Sequence, residues 1–190
     1  MDTEKTPGIT LSSKPFGERD KILHVFTFNH GLISVIIKRL SAKKSVLLTA
    51  AGHFCESEFI FRRSRTEMVT LQEASILEEN LFIRSSLAMI ECASSMAMAI
   101  LKSQIPFKPA PGVYLLLSGY LKKLASFETP HTLAASFYLK LLLHEGLLNL
   151  KELDDDMQTL ALSRSFDAMR QIKIEAGALP AIKTLFENTI

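Results

Sequence analysis

The feature that most constrains this chain is a change of hydrophobic period near residue 78. Before it, apolar and polar side chains alternate through Ile9–Ser13, Ile22–Phe28, Leu32–Arg39, Phe54–Phe61 and Met68–Leu77. These runs are rich in Ile, Val, Phe and Thr, the residues that fit a pleated, half-buried surface. Asn29-His30-Gly31 and Pro15-Phe16-Gly17 separate neighbouring runs with residues suited to tight hairpins. Five short strands in so few residues predict a small closed barrel, because closure removes exposed strand edges.

After Asn80 the period becomes helical. Leu81–Leu101 carries Leu87, Ile90, Ala93, Ala97, Ile100 and Leu101 on one apolar face. Pro106, Pro109 and Pro111-Gly112 make a loop, and Val113–Phe127 reads as a second helix. A third begins at Thr129-Pro130, buries Leu133, Phe137 and Leu141, and stops near Gly146. Asp154-Asp155-Asp156 opens a further helix expected to end around Gly177, three carboxylates complementing its positive end. The expected organisation is α+β, with a five-stranded barrel over residues 1–78 and an all-helical domain over 79–190.

Composition narrows the function classes. With 47% apolar residues and a net charge of +2, the chain is neither disordered nor a polycation. Cys55 and Cys92 lie far apart, and His53-x-Cys55 has no second ligand pair, so neither a disulfide framework nor a metal site is expected. Free thiols suit a reducing cytoplasm. The charged start Met1-Asp2-Thr3-Glu4-Lys5 is unlike a signal peptide, and no apolar run of membrane-spanning length is expected. No phosphate-cradling glycine loop, nucleophile elbow or His-Glu-x-x-His helix is present, and His24, His30, His53, His131 and His144 are scattered. No catalytic residue, cofactor or small-molecule substrate is expected.

Charge by segment is more informative. Residues 79–190 carry 11 basic and 11 acidic side chains, whereas Lys38, Arg39, Lys43, Lys44, Arg62, Arg63 and Arg65 face only Glu56 and Glu58. Basic side chains beside Phe54, Phe59 and Phe61 fit single-strand binding, where cations neutralise phosphates and rings stack on bases. The plainer alternative is a solvated hairpin tip beside core phenylalanines. The candidate DNA contacts are those seven bases together with Lys14 and Lys21. A competing class is a protein-interaction adaptor, in which Leu116, Tyr120, Lys122 and Lys123 accept a short acidic, apolar tail. A metal-dependent nuclease is a third class, with Asp154–Asp156 as its only carboxylate run.

The run Phe16-Gly17-Glu18-Arg19-Asp20-Lys21-Ile22, followed by Phe26-Thr27-Phe28-Asn29-His30-Gly31-Leu32-Ile33-Ser34-Val35, resembles the bacterial DNA repair protein RecO family. Gly8-Ile9-Thr10-Leu11 and Leu142-Leu143-His144-Glu145-Gly146-Leu147-Leu148 extend the likeness to roughly residues 8–150. The resemblance implies an oligonucleotide/oligosaccharide-binding (OB) barrel followed by helices. It implies a non-enzymatic recombination mediator that binds single- and double-stranded DNA and anneals complementary strands. It further implies RecR-like and SSB-like partners and RecA loading, in the cytoplasm at the nucleoid. Many members carry four cysteines after the Gly-Leu-Leu segment; here Asn149 onward has none, so no zinc is predicted. The expected shortness of the helical part puts the SSB-tail interaction in question.

Overall fold

A computed structural model describes residues 3–39, 45–63, 68–175 and 177–190. The chain divides into two compact units, one comprising residues 1–81 and 103–118 and the other 82–102 and 119–190.

The first unit is a closed barrel of five strands in the order β1-β2-β3-β5-β4. Its strands are β1 (Thr3–Phe16), β2 (Asp20–Thr27), β3 (Gly31–Ile37), β4 (Glu56–Arg62) and β5 (Met68–Glu78). β3 and β5 run parallel, and the other pairings are antiparallel. Strand β1 is long enough to serve two neighbours, pairing with β4 through Thr3–Ile9 and with β2 through Gly8–Phe16. A register shift between Thr10 and Ser12 bends it from one partner to the other. Leu23, Val25, Ile33, Val35, Ile37, Phe59, Phe61, Val69 and Leu71 point inward and fill the barrel. Helix α1 (Ser45–Ala50), a six-residue element absent from the sequence expectation, adds Ala50 to that core. The Thr10 hydroxyl fastens it by donating to the Ala50 carbonyl at 2.7 Å.

Both hairpin glycines lie at positive φ, Gly17 at 65° and Gly31 at 66°, where a side chain is strained. Their surroundings differ: a Cβ on Gly17 would meet open space, whereas one on Gly31 would fall on the Lys108 carbonyl. The barrel ends at Asn80, in the left-handed region at φ 51°, whose side-chain amide donates to the Phe54 carbonyl at 2.9 Å.

Helices α2 (Leu87–Ser103), α3 (Pro111–Lys123), α4 (Pro130–His144), α5 (Asp155–Leu162), α6 (Phe166–Arg170) and α7 (Ala178–Thr189) follow. Within the second unit α4 is central: every residue from Thr132 to Leu139 is buried, not only the expected stripe. A helix apolar all round must be covered on all sides, and α4 packs on α5, α6 and α7. Gly146 ends it at φ 74°, as its sequence position predicted.

Two expectations are corrected. On α2 the buried face is Cys92, Ala93, Met96, Ala97, Ala99 and Ile100, while Leu87 and Ile90 are exposed. The helix after Asp154–Asp156 ends at Leu162 instead of running to Gly177. Ser165 starts α6 with a side-chain cap, and Gly177 precedes α7 instead of closing a helix. Asp154 itself caps α5, its carboxylate accepting from the Met157 N–H at 2.8 Å. Burial pushes the Cys92 thiol up to about 11, consistent with a core residue. Among the described residues no helix is long and apolar enough to cross a membrane.

Candidate nucleic-acid interface

The β2–β3 hairpin organises the charged groups of the barrel. At its open end, Lys21 pairs with Ile37, so Lys38 and Arg39 leave β3 beside the start of β2. The β1–β2 turn lies at the same end, where Phe16 pairs with Asp20 and Lys14 with Ile22. Asp20 accepts the Arg39 backbone N–H at 2.9 Å, holding in place a residue that sits in the disfavoured left-handed region at φ 52°. Lys14, Arg19, Lys38 and Arg39 are exposed, and Lys21 is half-buried. Residues 14–21 and 38–39 hold five basic and two acidic side chains, an excess that favours an anion.

From that end an outer face extends across β2 and β3. Alternation places Ile22 and His24 of β2 and Ser34 and Ile36 of β3 outward, half-buried, between inward-facing Leu23, Val25, Val35 and Ile37. Ser12 joins from β1, its hydroxyl 2.8 Å from His24 Nδ1. Burial, and then the Lys14 charge, hold His24 below its usual value. The rest of this face is covered by residues 103–118. There the Phe107 N–H donates to the Leu32 carbonyl at 3.0 Å, and the Tyr114 ring lies against Phe26 and Phe28. The Tyr114 hydroxyl donates to Glu56 Oε1 at 2.7 Å, and Ser118 also donates to that buried carboxylate at 3.0 Å. Burial and Glu56 together keep the Tyr114 proton in place.

At the turn end of the hairpin the charges are already engaged. Glu4 accepts from Arg63 Nε at 2.6 Å and lies 3.1 Å from His30 Nε2. The Arg63 guanidinium also reaches His30 Nδ1 at 3.3 Å and sits 5.5 Å from the centre of the Phe107 ring. Burial is the main cause lowering the His30 pKa; Glu4 opposes it and Arg63 reinforces it. Arg62, exposed, ends β4 beside Thr3 and Thr70. Arg63 is thereby fixed at the hairpin turn, six residue steps or about 20 Å along β2 from Lys21, whereas Arg62 lies two strands, about 10 Å, from Ile36 through Thr70. The fold thus brings Lys14, Lys21, Lys38 and Arg39 together and sets Arg63 at the turn end. Lys43, Lys44 and Arg65 lie outside the described residues.

The aromatic part of the expectation is corrected. Phe59 and Phe61 fill the barrel interior and are completely buried, and Phe54 is nearly so, so none can stack on a base. Of the twelve phenylalanines only Phe16 falls in the exposed range, at 51%, and it stands at the basic end. Arg19 and Phe16 are the residues the charge count missed. Their position just beside the turn glycine Gly17 was the available signal. Of the adaptor candidates, Leu116 is half-buried in the first unit. In the second unit Tyr120 is buried, its hydroxyl 2.8 Å from Ser136 Oγ and its ring edge-on to Phe137 and Phe166. Lys122 and Lys123 are exposed, with the Lys123 ammonium 6.0 Å from the centre of the Phe166 ring.

Residues 1–80 match the family model described as recombination protein O N terminal. The chain is also similar to proteins named DNA repair protein RecO. That of Pelotomaculum thermopropionicum is 31% identical over 140 residues, which is 74% of this chain and 54% of the relative. That of Chlamydia trachomatis serovar L2 is 28% identical over 144 residues, 76% of this chain and 59% of the relative. That of Chlamydia pneumoniae is 27% identical over 143 residues, 75% and 56% respectively. The chain therefore spans somewhat over half the length of these curated relatives. The closed OB barrel of residues 1–80 is thus a RecO-family N-terminal domain.

Proposed function

We propose that this protein is a non-enzymatic mediator of recombinational DNA repair that binds single- and double-stranded DNA through its barrel. The observation that carries the proposal is the coincidence of two things in residues 1–80: a family match and a closed OB barrel with a basic end. Lys14, Lys21, Lys38 and Arg39 hold phosphates at that end, while Arg62 and Arg63 form a second anchor. Lys43, Lys44 and Arg65 belong to the same set by sequence. Neutralising phosphates on two strands lowers the repulsion that opposes their pairing, and annealing follows without any bond being made or broken. A RecR-like partner and an SSB-like protein complete the activity by bringing the mediator to coated gaps where RecA loads, in the bacterial cytoplasm at the nucleoid.

Fluorescence anisotropy of single-stranded and duplex oligonucleotides across a salt series, paired with a strand-annealing assay, tests this. Both forms bind, affinity falls linearly with log salt, and complementary strands pair faster with protein than without. Absence of binding at low salt would remove the proposal.

A further inference from the structure

Resting on the DNA-binding proposal, we infer that Phe16 is a base-stacking residue that makes the basic end of the barrel selective for unpaired nucleotides. Three observations converge on it. First, Phe16 is half exposed, although burying a phenylalanine ring is worth roughly 2 kcal/mol. The other phenylalanines of this barrel are buried or half-buried, so its exposure is particular to this position. Second, it is the last residue of β1, two positions after Lys14. Alternation puts both on the same outward face, about 6.6 Å apart along the strand. A cation and a ring so placed serve one nucleotide and its neighbour, the cation on phosphate and the ring on base. Third, the turn that carries Phe16 is fixed. Gly17 supplies the left-handed residue, and Asp20, paired with Phe16, holds Arg39 through its backbone N–H. The ring, Lys14 and Arg39 therefore stand on one braced end of the sheet.

The ring chooses between strand forms for a simple reason. In a duplex each base face is already covered by its neighbours, so a ring at a hairpin tip meets only backbone. An unpaired base offers its face, and stacking of this kind is tolerant of sequence. Cations alone do not discriminate in this way, since phosphates are present in both forms.

The test compares wild type, Phe16→Ala and Phe16→Tyr in the full chain, using a thymidine oligonucleotide, the same length with abasic sites, and a duplex. Phe16→Ala weakens thymidine-strand binding about ten-fold and leaves duplex and abasic binding as in wild type. Phe16→Tyr retains the thymidine-strand affinity. Because the ring is exposed, truncation leaves no buried cavity, and an unchanged thermal melt verifies the fold. Equal loss on strand and duplex, or no loss on the strand while wild type binds normally, overturns the inference and leaves the DNA-binding proposal standing. If wild type binds neither form, that proposal falls and this inference falls with it.

Discussion

The two ends of the β2–β3 hairpin treat their basic residues differently. At the open end Lys14 near the end of β1, Arg19 in the β1–β2 turn and Arg39 after β3 are exposed, and the nearby Asp20 carboxylate accepts a backbone N–H. At the turn end Arg63 is held by Glu4, reaches His30 and lies over Phe107. An arginine with a carboxylate at 2.6 Å must exchange that partner before it takes a phosphate, so its net gain is small. The lesson is that a count of charges along a chain measures neither their position nor their availability.

The comparison extends to the backbone, and there the largest effect is expected. Gly31→Ala adds a methyl onto the Lys108 carbonyl as well as left-handed strain, and is expected to destabilise the barrel by about 3 kcal/mol or more. Gly17→Ala, in open space, is expected to cost only the strain, about 1–2 kcal/mol. Urea unfolding of the two variants measures the difference; equal losses would mean that the turn end is no more tightly built than the other.

The next effect concerns Glu4. Glu4→Gln releases Arg63, so single-strand affinity rises and the salt slope steepens by about 0.7, the contribution of one additional phosphate contact. Arg63→Gln alone shifts the slope by less than that, because its charge was already compensated. If Arg63→Gln has the larger effect, the account of the two ends is reversed.

The smallest effect is in pH. His24 and His30 are both lowered from 6.5, chiefly by burial. A histidine depressed in the folded state contributes stability above its unfolded value, and that stability is lost as pH falls through the folded value. Unfolding midpoints should therefore drop modestly from pH 7.5 to below 6, and less in His24→Asn. An identical drop in that variant would leave His24 without a part in it.

Much of this was legible in the chain. Alternation marked a run within each of the five strands, because each turns one face to the barrel interior, though for β1 it marked only Ile9–Ser13 of Thr3–Phe16. The turns at Gly17 and Gly31 were visible because only left-handed geometry closes them. The separation of the basic residues was not visible, because β-strand connections carry the chain from one barrel end to the other within a few residues. Helix α1 was hidden because six residues are too few to show a period. The return of 103–118 to the barrel was hidden for a different reason. It depends on Phe107, Tyr114 and Ser118 finding Leu32, Phe26 and Glu56, partners more than fifty residues earlier. The break after Leu162 rests on the Ser165 cap, a single residue within an otherwise helical pattern.

The central claim is that the open end of the barrel is the phosphate-binding end. It is tested most directly by the salt dependence of single-strand affinity for wild type beside the triple variant Lys14→Glu, Lys38→Glu and Arg39→Glu. The account predicts an affinity lower by ten-fold or more at 0.1 M salt and a slope shallower by about 2, three contacts at about 0.7 each. A triple variant that melts as wild type does and keeps the wild-type affinity and slope would contradict it.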